Sequence, residues 1–221
     1  HNMVKLENKE AKVHSMFPTP VYTVNLDHDL PSVMLDYLNG QEFHEHNPGY
    51  GCISKNSFIM DDPIMKPLGD WVMNCMKDYA TNVMRYEYED LVFTQSWLTK
   101  KLQHTSHKAH THPNTLISSV FYYEIKEGDP PLCFSKHIRA TNRPILEPSF
   151  LEDYQDHTFS QEMYFVHPKQ NDLVIFPSWI THGVPPNPNK EFRKSLGINA
   201  LPKRVLGDLE SIAGLEYERY I

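Results

Sequence analysis

Hydrophobic and polar positions alternate over several short stretches of this chain, and a period of two is typical of β-strands. Three other stretches, the last of them near the end of the chain, instead repeat apolar residues every three or four positions, which predicts helices. The predicted strands span residues 21–26, 91–99, 115–123, 131–134, 162–166, 172–176 and 192–201, and the predicted helices span 31–38, 63–85 and 205–217. Many short strands flanked by helices indicate a mainly β protein, a β-sandwich or barrel supported by helices.

The helix predicted over 63–85 has the strongest apolar stripe, and Asp61 and Asp62 precede it where capping acids belong. We expect its apolar face to pack against one face of the sheet. A polar insertion at 136–161 separates two predicted strands, and loops of that length in compact domains are often functional. At 221 residues, the chain suits a single domain. Within this domain we expect an N-terminal strand and supporting helices in residues 1–90, the β-helix core in residues 91–202 and a C-terminal helix in residues 203–221.

Composition narrows the possible functions. The formal net charge of −7 disfavours a nucleic-acid surface. Three cysteines without a CxxC motif suggest neither a disulfide framework nor a thiolate zinc site. No apolar run approaches the roughly 20 residues that cross a bilayer, so we expect a cytoplasmic protein without a membrane partner. A homodimer is left open.

Histidines are concentrated just before one predicted strand. His110 and His112 stand two positions apart, followed by Pro113 and a run of β-branched and aromatic residues. Residues i and i+2 of an extended chain face the same way, so these two imidazoles can converge on one point. A third histidine, His182, closes the segment that begins at Phe176. We interpret His110, His112 and His182 as ligands of one metal ion; nitrogen donors without thiolate suit iron, manganese, nickel, zinc or copper.

A second candidate group follows eleven positions after His182, where Arg193 and Ser195 open a predicted strand. Their side chains share a face, so a guanidinium fork and a hydroxyl can hold one carboxylate together. An arginine that points into a barrel is costly unless an anion meets it. The pair therefore predicts an anion site near the metal.

These motifs together resemble the Fe(II)- and 2-oxoglutarate-dependent oxygenases, and more narrowly a group of bacterial and phage proteins related to prolyl hydroxylases. The resemblance is carried by Phe17–Val21, Trp97, His110–Asn114, Ser118–Tyr122, Phe176–Asn187 and Arg193–Asn199. It implies a double-stranded β-helix, which is the jelly-roll or cupin-like barrel. It also implies Fe(II) and 2-oxoglutarate as cofactor and co-substrate, O₂ as the second co-substrate, and hydroxylation of a substrate that the sequence does not identify, a protein or peptide being one candidate.

Residue by residue, the resemblance implies iron ligands at His110 and His182. It assigns Arg193, with Ser195 and Tyr122, to the distal carboxylate of 2-oxoglutarate. His112 stands where the wider superfamily has a carboxylate. Two alternatives follow: three histidines hold the iron, or His112 only supports the other two.

Two other functions remain open on the sequence. A cupin-type metal enzyme that does not use 2-oxoglutarate has a similar HxH motif, but nothing in that scheme requires Arg193 or Ser195. A non-catalytic binding module on the same barrel needs no redox metal. Trp97, Trp179 and the insertion at 136–161 are candidates to cover the site.

Overall fold

The computed structural model describes residues 6–7, 10–45, 51–136, 149–207 and 210–215. The strands are β1 (Tyr22–Asn25), β2 (Phe43–Glu45), β3 (Cys52–Ser54), β4 (Leu91–Lys101), β5 (His107–His110), β6 (Ile117–Phe121), β7 (Leu132–Ser135), β8 (Met163–Val166), β9 (Asp172–Pro177), β10 (His182–Val184), β11 (Arg193–Pro202), β12 (Arg204–Leu206) and β13 (Ala213–Leu215). The α-helices are α1 (Ser32–Asn39) and α2 (Lys66–Asp78), with short 3₁₀ turns at Ile59–Asp61, Pro63–Met65 and Tyr154–Asp156 and a π-helical turn at Tyr79–Val83.

The strands form two main antiparallel sheets. The larger has the order β1-β9-β6-β11-β4-β3-β2, and the smaller has the order β5-β10-β7-β8. Apolar side chains from both sheets share one cluster, with Leu132 and Phe134 from the small sheet against Val174 and Phe176 from the large one. In both sheets, neighbouring strands are often far apart in sequence, and the two sheets pack face to face. This arrangement is the expected double-stranded β-helix, so the predicted fold class is confirmed.

The outer face of the large sheet is covered by the helices. Along α2, the buried residues Leu68, Val72, Cys75 and Met76 recur at helical spacing. The ring of Trp71 packs edge-on against Phe121 of β6, with 6.0 Å between centroids. The predicted packing of this helix against the sheet is confirmed.

The predicted helix over 63–85 is observed as three consecutive pieces. The side chain of Asp62 accepts a hydrogen bond from the backbone N–H of Ile64, as expected of a capping acid. The chain then passes through a 3₁₀ turn, helix α2 and the π-helical turn. The short strands β2 and β3 were not predicted.

The helix predicted at the end of the chain, within 203–221, is wrong for the described residues. Residues 204–206 and 213–215 pair as an antiparallel hairpin, with Leu206 opposite Ala213. Gly207 follows β12 with φ of +84°, and a Cβ there would lie 2.3 Å from the carbonyl oxygen of Ser211. A glycine in this left-handed conformation turns the chain back and ends any helical path. Residues 216–221 lie outside the described part.

Strands β4 and β11 form the longest pairing and support the functional site. Their register places Trp97 opposite Gly197, Thr99 opposite Ser195 and Lys101 opposite Arg193. Because side chains alternate along a strand, these three pairs share one face of the sheet. That face is turned towards the smaller sheet. No helix in the described residues is long and apolar enough to cross a membrane.

Candidate metal centre

The three predicted ligand histidines meet at one end of the space between the sheets. His110 ends β5, His182 begins β10, and the two are register partners across that pairing. His112 lies in the loop after β5, where its backbone N–H donates to the carbonyl of Ser178. Asn114, at φ of +58°, then turns the chain into β6; asparagine tolerates this left-handed conformation better than most residues. The ligand atoms of the three histidines all lie within 4.8 Å of one another.

Each imidazole is oriented by a hydrogen bond from its Nδ1–H. His110 donates to the carbonyl of Lys108 at 2.8 Å, and His182 donates to the carbonyl of Ile180 at 3.0 Å. His112 Nδ1 lies 3.0 Å from Asn199 Oδ1 and 3.1 Å from Ser118 Oγ. A carbonyl oxygen only accepts, so the proton is on Nδ1 and the lone pair is on Nε2. Such outer hydrogen bonds fix the tautomer of metal-binding histidines.

The Nε2 atoms converge on a common point. His112 Nε2 lies 3.2 Å from His110 Nε2 and 3.1 Å from His182 Nε2. Lone pairs at these separations repel unless a cation lies among them. Two ligands at right angles on bonds of about 2.1 Å would lie about 3.0 Å apart, close to the spacing seen. The donor set therefore fits one face of a divalent metal ion.

The surroundings keep His112 and His182 neutral. Burial lowers the pKa of His112, and burial together with the neighbouring His110 lowers the pKa of His182 to about 3. The ring of Phe176 packs 4.7 Å from that of His182, and Trp97 packs 5.4 Å from His112, measured between centroids. An imidazole that stays unprotonated at neutral pH is available as a metal ligand.

Arg193 and Tyr122 are buried deeper in the same cavity. Arg193 is only 1% exposed; its Nε–H donates to the carbonyl of Pro130, and its guanidinium lies 5.3 Å from the ring of Tyr122. Arg193 Nη2 and Tyr122 Oη have no hydrogen-bond partner of proper geometry among the described residues. Burial raises the pKa of Tyr122, with Arg193 partly opposing it, so the phenol keeps its proton and can donate. Buried donors without partners cost about 1–3 kcal/mol each, which an anion in the cavity would remove.

Ser195 lies beside Arg193 and Tyr122, and its hydroxyl forms a 2.7 Å hydrogen bond with the hydroxyl of Thr99 on the neighbouring strand β4. The cavity has a volume of about 40 Å³ and extends from the histidines to Arg193. All six predicted site residues, His110, His112, His182, Tyr122, Arg193 and Ser195, line it. None of its lining residues carries a carboxylate.

Three further residues at the site were given no role by the sequence: Asn199 and Ser118 hold His112, and Lys101 lies opposite Arg193. Trp97, a candidate to cover the site, packs against the ring of His112. Asn199 could have been identified from the sequence, because residues 193, 195, 197 and 199, at every second position of β11, lie on one face of the strand. Trp179 is 53% exposed and lines a different groove, so it does not cover the cavity.

Gly183 is required where β10 passes β5. A Cβ at this position would lie 2.7 Å from the carbonyl oxygen of His107 and 3.2 Å from the backbone nitrogen of Ala109. Backbone atoms cannot move aside, so Gly183→Ala is expected to push β5 away and separate His110 from His182. Since small misplacements of functional groups are costly, we expect metal affinity to fall about tenfold or more, measured by titration with Mn(II).

The matched control is Gly69→Ala in α2, where the new methyl would meet only the side chains of Met60 and Phe93 at 3.6 Å. It is expected to leave metal affinity unchanged and to stabilise the helix by about 0.5–1 kcal/mol. Equal metal affinity in Gly183→Ala and the wild type would show that the β5–β10 contact does not set the site.

Comparison with known proteins agrees with this geometry. Residues 95–199 match a family model described as "Putative 2OG-Fe(II) oxygenase". The matched segment begins in β4 and ends in β11, so it contains all six predicted site residues. A search of curated proteins finds no match.

Solved structures share the fold at low sequence identity. HygX from Streptomyces hygroscopicus, solved with nickel, 2-oxoglutarate and hygromycin B, aligns with a TM-score of 0.56 at 11% identity over 83% of each chain. The α-ketoglutarate-dependent epimerase SnoN from nogalamycin biosynthesis aligns at 0.58 and 12% identity, over 84% of this chain and 79% of its own. A Pseudomonas putida prolyl-4-hydroxylase aligns at 0.50 and 15% identity, over 84% and 94% respectively.

Proposed function

We propose that this chain is an Fe(II)- and 2-oxoglutarate-dependent oxygenase that couples oxidative decarboxylation of 2-oxoglutarate to hydroxylation of a C–H bond in a second substrate. In this proposal His110, His112 and His182 hold the iron. Arg193, Ser195 and Tyr122 bind the distal carboxylate of the keto acid. When bound, the iron and the keto acid together activate O₂ and leave succinate and CO₂ as co-products.

One observation carries the proposal. One cavity has three imidazole Nε2 atoms at one end and unpartnered donors of Arg193 and Tyr122 at the other. A molecule that satisfies both ends must present metal-binding oxygens and a separate carboxylate. A short keto diacid has that chemistry, and HygX was solved with 2-oxoglutarate bound.

The protein's own contribution is charge, orientation and exclusion of water. Three neutral imidazoles leave the 2+ charge of the ion uncompensated, which favours a dianionic partner. Arg193 and Tyr122 can fix the far carboxylate with a charged and a neutral hydrogen bond. The rings of Phe176 and Trp97 exclude solvent next to the histidines, which strengthens electrostatic interactions there.

Both alternative functions leave part of the cavity unexplained. A cupin-type enzyme that does not bind a diacid would bury Arg193 and Tyr122 with no partner for their free donors. A non-catalytic module would in addition have no reason to direct three Nε2 lone pairs at one point. The oxygenase accounts for both ends.

The second substrate is proposed to be large, a protein or peptide. A groove of about 850 Å³ lies near the metal site, and Trp179 and Ile180, just before His182, form part of its wall. Phe17, Phe159 and Tyr164 also line it and are 93%, 52% and 54% exposed. Exposed aromatic side chains around a wide groove suit an extended partner.

The direct test supplies the purified protein with Fe(II), ascorbate and 2-oxoglutarate and measures succinate. Oxygenases of this kind often turn over slowly without a second substrate, so we expect succinate formation that requires both iron and O₂. A lysate or peptide library incubated in the same way should contain products heavier by one oxygen atom. Absence of 2-oxoglutarate binding to the metal-loaded protein would rule the proposal out.

His112→Asp distinguishes a ligand from a supporting role. An aspartate at this position would restore the commoner set of two histidines and one carboxylate, so we expect iron affinity to stay within about tenfold of the wild type or to improve. His112→Ala should instead lose iron binding, since it supplies no donor. Wild-type iron affinity in His112→Ala would mean that two histidines suffice, and an unfolded His112→Asp would mark His112 as buried structure.

A further inference from the structure

The groove beside the metal site runs along a strand at the edge of a sheet. β8 is the last strand in the order of the smaller sheet, so none of the described strands pairs with its outer edge. Met163, Tyr164 and Phe165 of this strand are 40%, 54% and 48% exposed. Proteins usually protect a sheet edge with charged residues or proline, and β8 contains neither. An exposed apolar edge of this kind can accept a further strand from another chain.

We propose that this groove binds a basic segment of the second substrate, a stretch of polypeptide rich in lysine and arginine, as an additional strand along β8. This inference rests on the proposed function and gives the chemistry of its substrate.

The groove passes over the edge of β8. Met163 and Tyr164 are neighbours in the strand, so their side chains point to opposite faces of the sheet. Both nevertheless line the groove, together with Glu162 just before the strand. A groove that touches both faces of an edge strand also reaches its backbone N–H and C=O groups. An extended partner can pair with those groups whatever its sequence, and its side chains then provide the specificity.

The charge beside the groove favours a cationic partner. Residues 149–166, which supply part of the groove wall, contain Glu152, Asp153, Asp156 and Glu162 but no lysine or arginine. All four acids are exposed, and none forms an ion pair with a described residue. Among the described residues that line the groove, Lys136 is the only lysine or arginine. A basic segment therefore complements this side of the protein, and an acidic one is repelled.

The aromatic side chains of the groove suit the same partner. Phe17, Phe159 and Trp179 line it and are 93%, 52% and 53% exposed. Phe17 also has φ of +55°, which is uncommon for a bulky residue and occurs more often in segments that contact ligands. Exposed aromatic rings attract guanidinium and ammonium groups through cation–π contacts.

The groove adjoins the proposed iron ligands. Phe134 lines it, and the ring of Phe134 lies 6.2 Å from that of His182 between centroids. Ile180, another lining residue, accepts the hydrogen bond from His182 Nδ1. A segment bound in the groove therefore lies next to the metal site, as a substrate must.

Fluorescence anisotropy with labelled peptides tests the proposal on the protein loaded with Mn(II) and 2-oxoglutarate. The basic probe repeats Ser-Arg-Ala-Lys three times, and the neutral and acidic probes have Gln or Glu in place of Arg and Lys. We expect the basic probe to bind at least about tenfold more tightly than the neutral one, with an affinity that falls as salt is added. A neutral or acidic probe that binds as tightly as the basic one, or no binding of the basic probe, overturns the proposal.

A fourth probe tests the addition of a strand. The basic peptide with every backbone nitrogen methylated keeps its charges but cannot donate hydrogen bonds to β8. We expect its affinity to fall at least about tenfold, since the main-chain hydrogen bonds of an added strand supply its affinity. Unchanged affinity would show that the peptide does not pair with β8.

Two pairs of variants locate the site. Phe159→Ser should weaken binding of the basic probe about threefold, whereas Phe150→Ser should not, because Phe150 is equally exposed, at 53%, in the same segment but does not line the groove.

The double variant Asp156→Asn and Glu162→Gln should weaken binding of the basic probe about fivefold and reduce its dependence on salt. Asp36→Asn with Glu87→Gln is the matched control, since both residues are exposed and neither lines the groove. Equal losses in the members of either pair would place the peptide elsewhere.

Proximity to the metal separates this inference from the proposed function. Proton signals of the bound basic probe should broaden with Mn(II) in the protein and not with Zn(II); no broadening would mean that the groove does not deliver a substrate. Succinate formation without binding of the basic probe overturns this inference alone. Binding of the basic probe by a protein that binds neither iron nor 2-oxoglutarate overturns the proposed function, and with it the role of the groove as a substrate site.

Discussion

His182→Ala is expected to lower the affinity for Fe(II) by more than about 100-fold and to bring iron-dependent succinate formation below detection. Loss of a hydrogen bond to a metal-bound histidine typically costs 10–100-fold in affinity, so loss of a ligand should cost more. The His182 side chain is buried, and its Nδ1–H is directed to the carbonyl of Ile180, which holds Nε2 at the point shared with His112. Metal content and titration of the apo-protein with Fe(II) under anaerobic conditions measure the effect.

His167→Ala is the matched control, because His167 is exposed and does not line the cavity. It should retain wild-type iron affinity and turnover. A His182→Ala protein that is folded and still binds one equivalent of Fe(II) with wild-type affinity would remove His182 from the metal site.

Arg193→Met is expected to raise the Kd for 2-oxoglutarate by about 100-fold while Fe(II) affinity is retained. A charged hydrogen bond in a buried site is worth about 1.5–3 kcal/mol, and the methionine supplies neither the charge nor the donors. The change loses the hydrogen bond to the carbonyl of Pro130 but also removes a buried Nη2 that has no partner, so the free energy of unfolding should fall little. Calorimetric titration of the Mn(II)-loaded variant, together with KM for 2-oxoglutarate, measures the effect.

Lys194→Met controls for the loss of a positive charge on the same strand. Lys194 is the next residue of β11, and its amine pairs with Glu124 at 3.2 Å outside the cavity. Its Kd for 2-oxoglutarate should equal that of the wild type. Equal affinity of Arg193→Met and Lys194→Met would show that Arg193 does not bind the keto acid.

Much of the site could be predicted because its residues follow simple periodicities. His110 and His112 face one point through their spacing of two, and their rings are found stacked, 5.2 Å apart between centroids. Arg193 and Ser195 share a face of β11 for the same reason. The distance between His110 and His182 could not be predicted, because it depends on the β5–β10 pairing between segments far apart in sequence.

The failures also have physical causes. The strand predicted at 91–99 ended at Thr99, whereas β4 continues to Lys101, so the lysine opposite Arg193 was missed. Lysine is rarely buried, and only the pairing with β11 shows that Lys101 lies on the cavity face. The predicted terminal helix failed because apolar spacing alone does not reveal the left-handed turn at Gly207.

A crystal structure with Mn(II) and 2-oxoglutarate, grown without O₂, tests the central claim most directly. Anomalous scattering from manganese should give one site bonded to Nε2 of His110, His112 and His182. The distal carboxylate of the keto acid should accept hydrogen bonds from Arg193 Nη2 and Tyr122 Oη. A metal position away from the three histidines, or a keto acid whose carboxylate does not reach Arg193, would contradict the account.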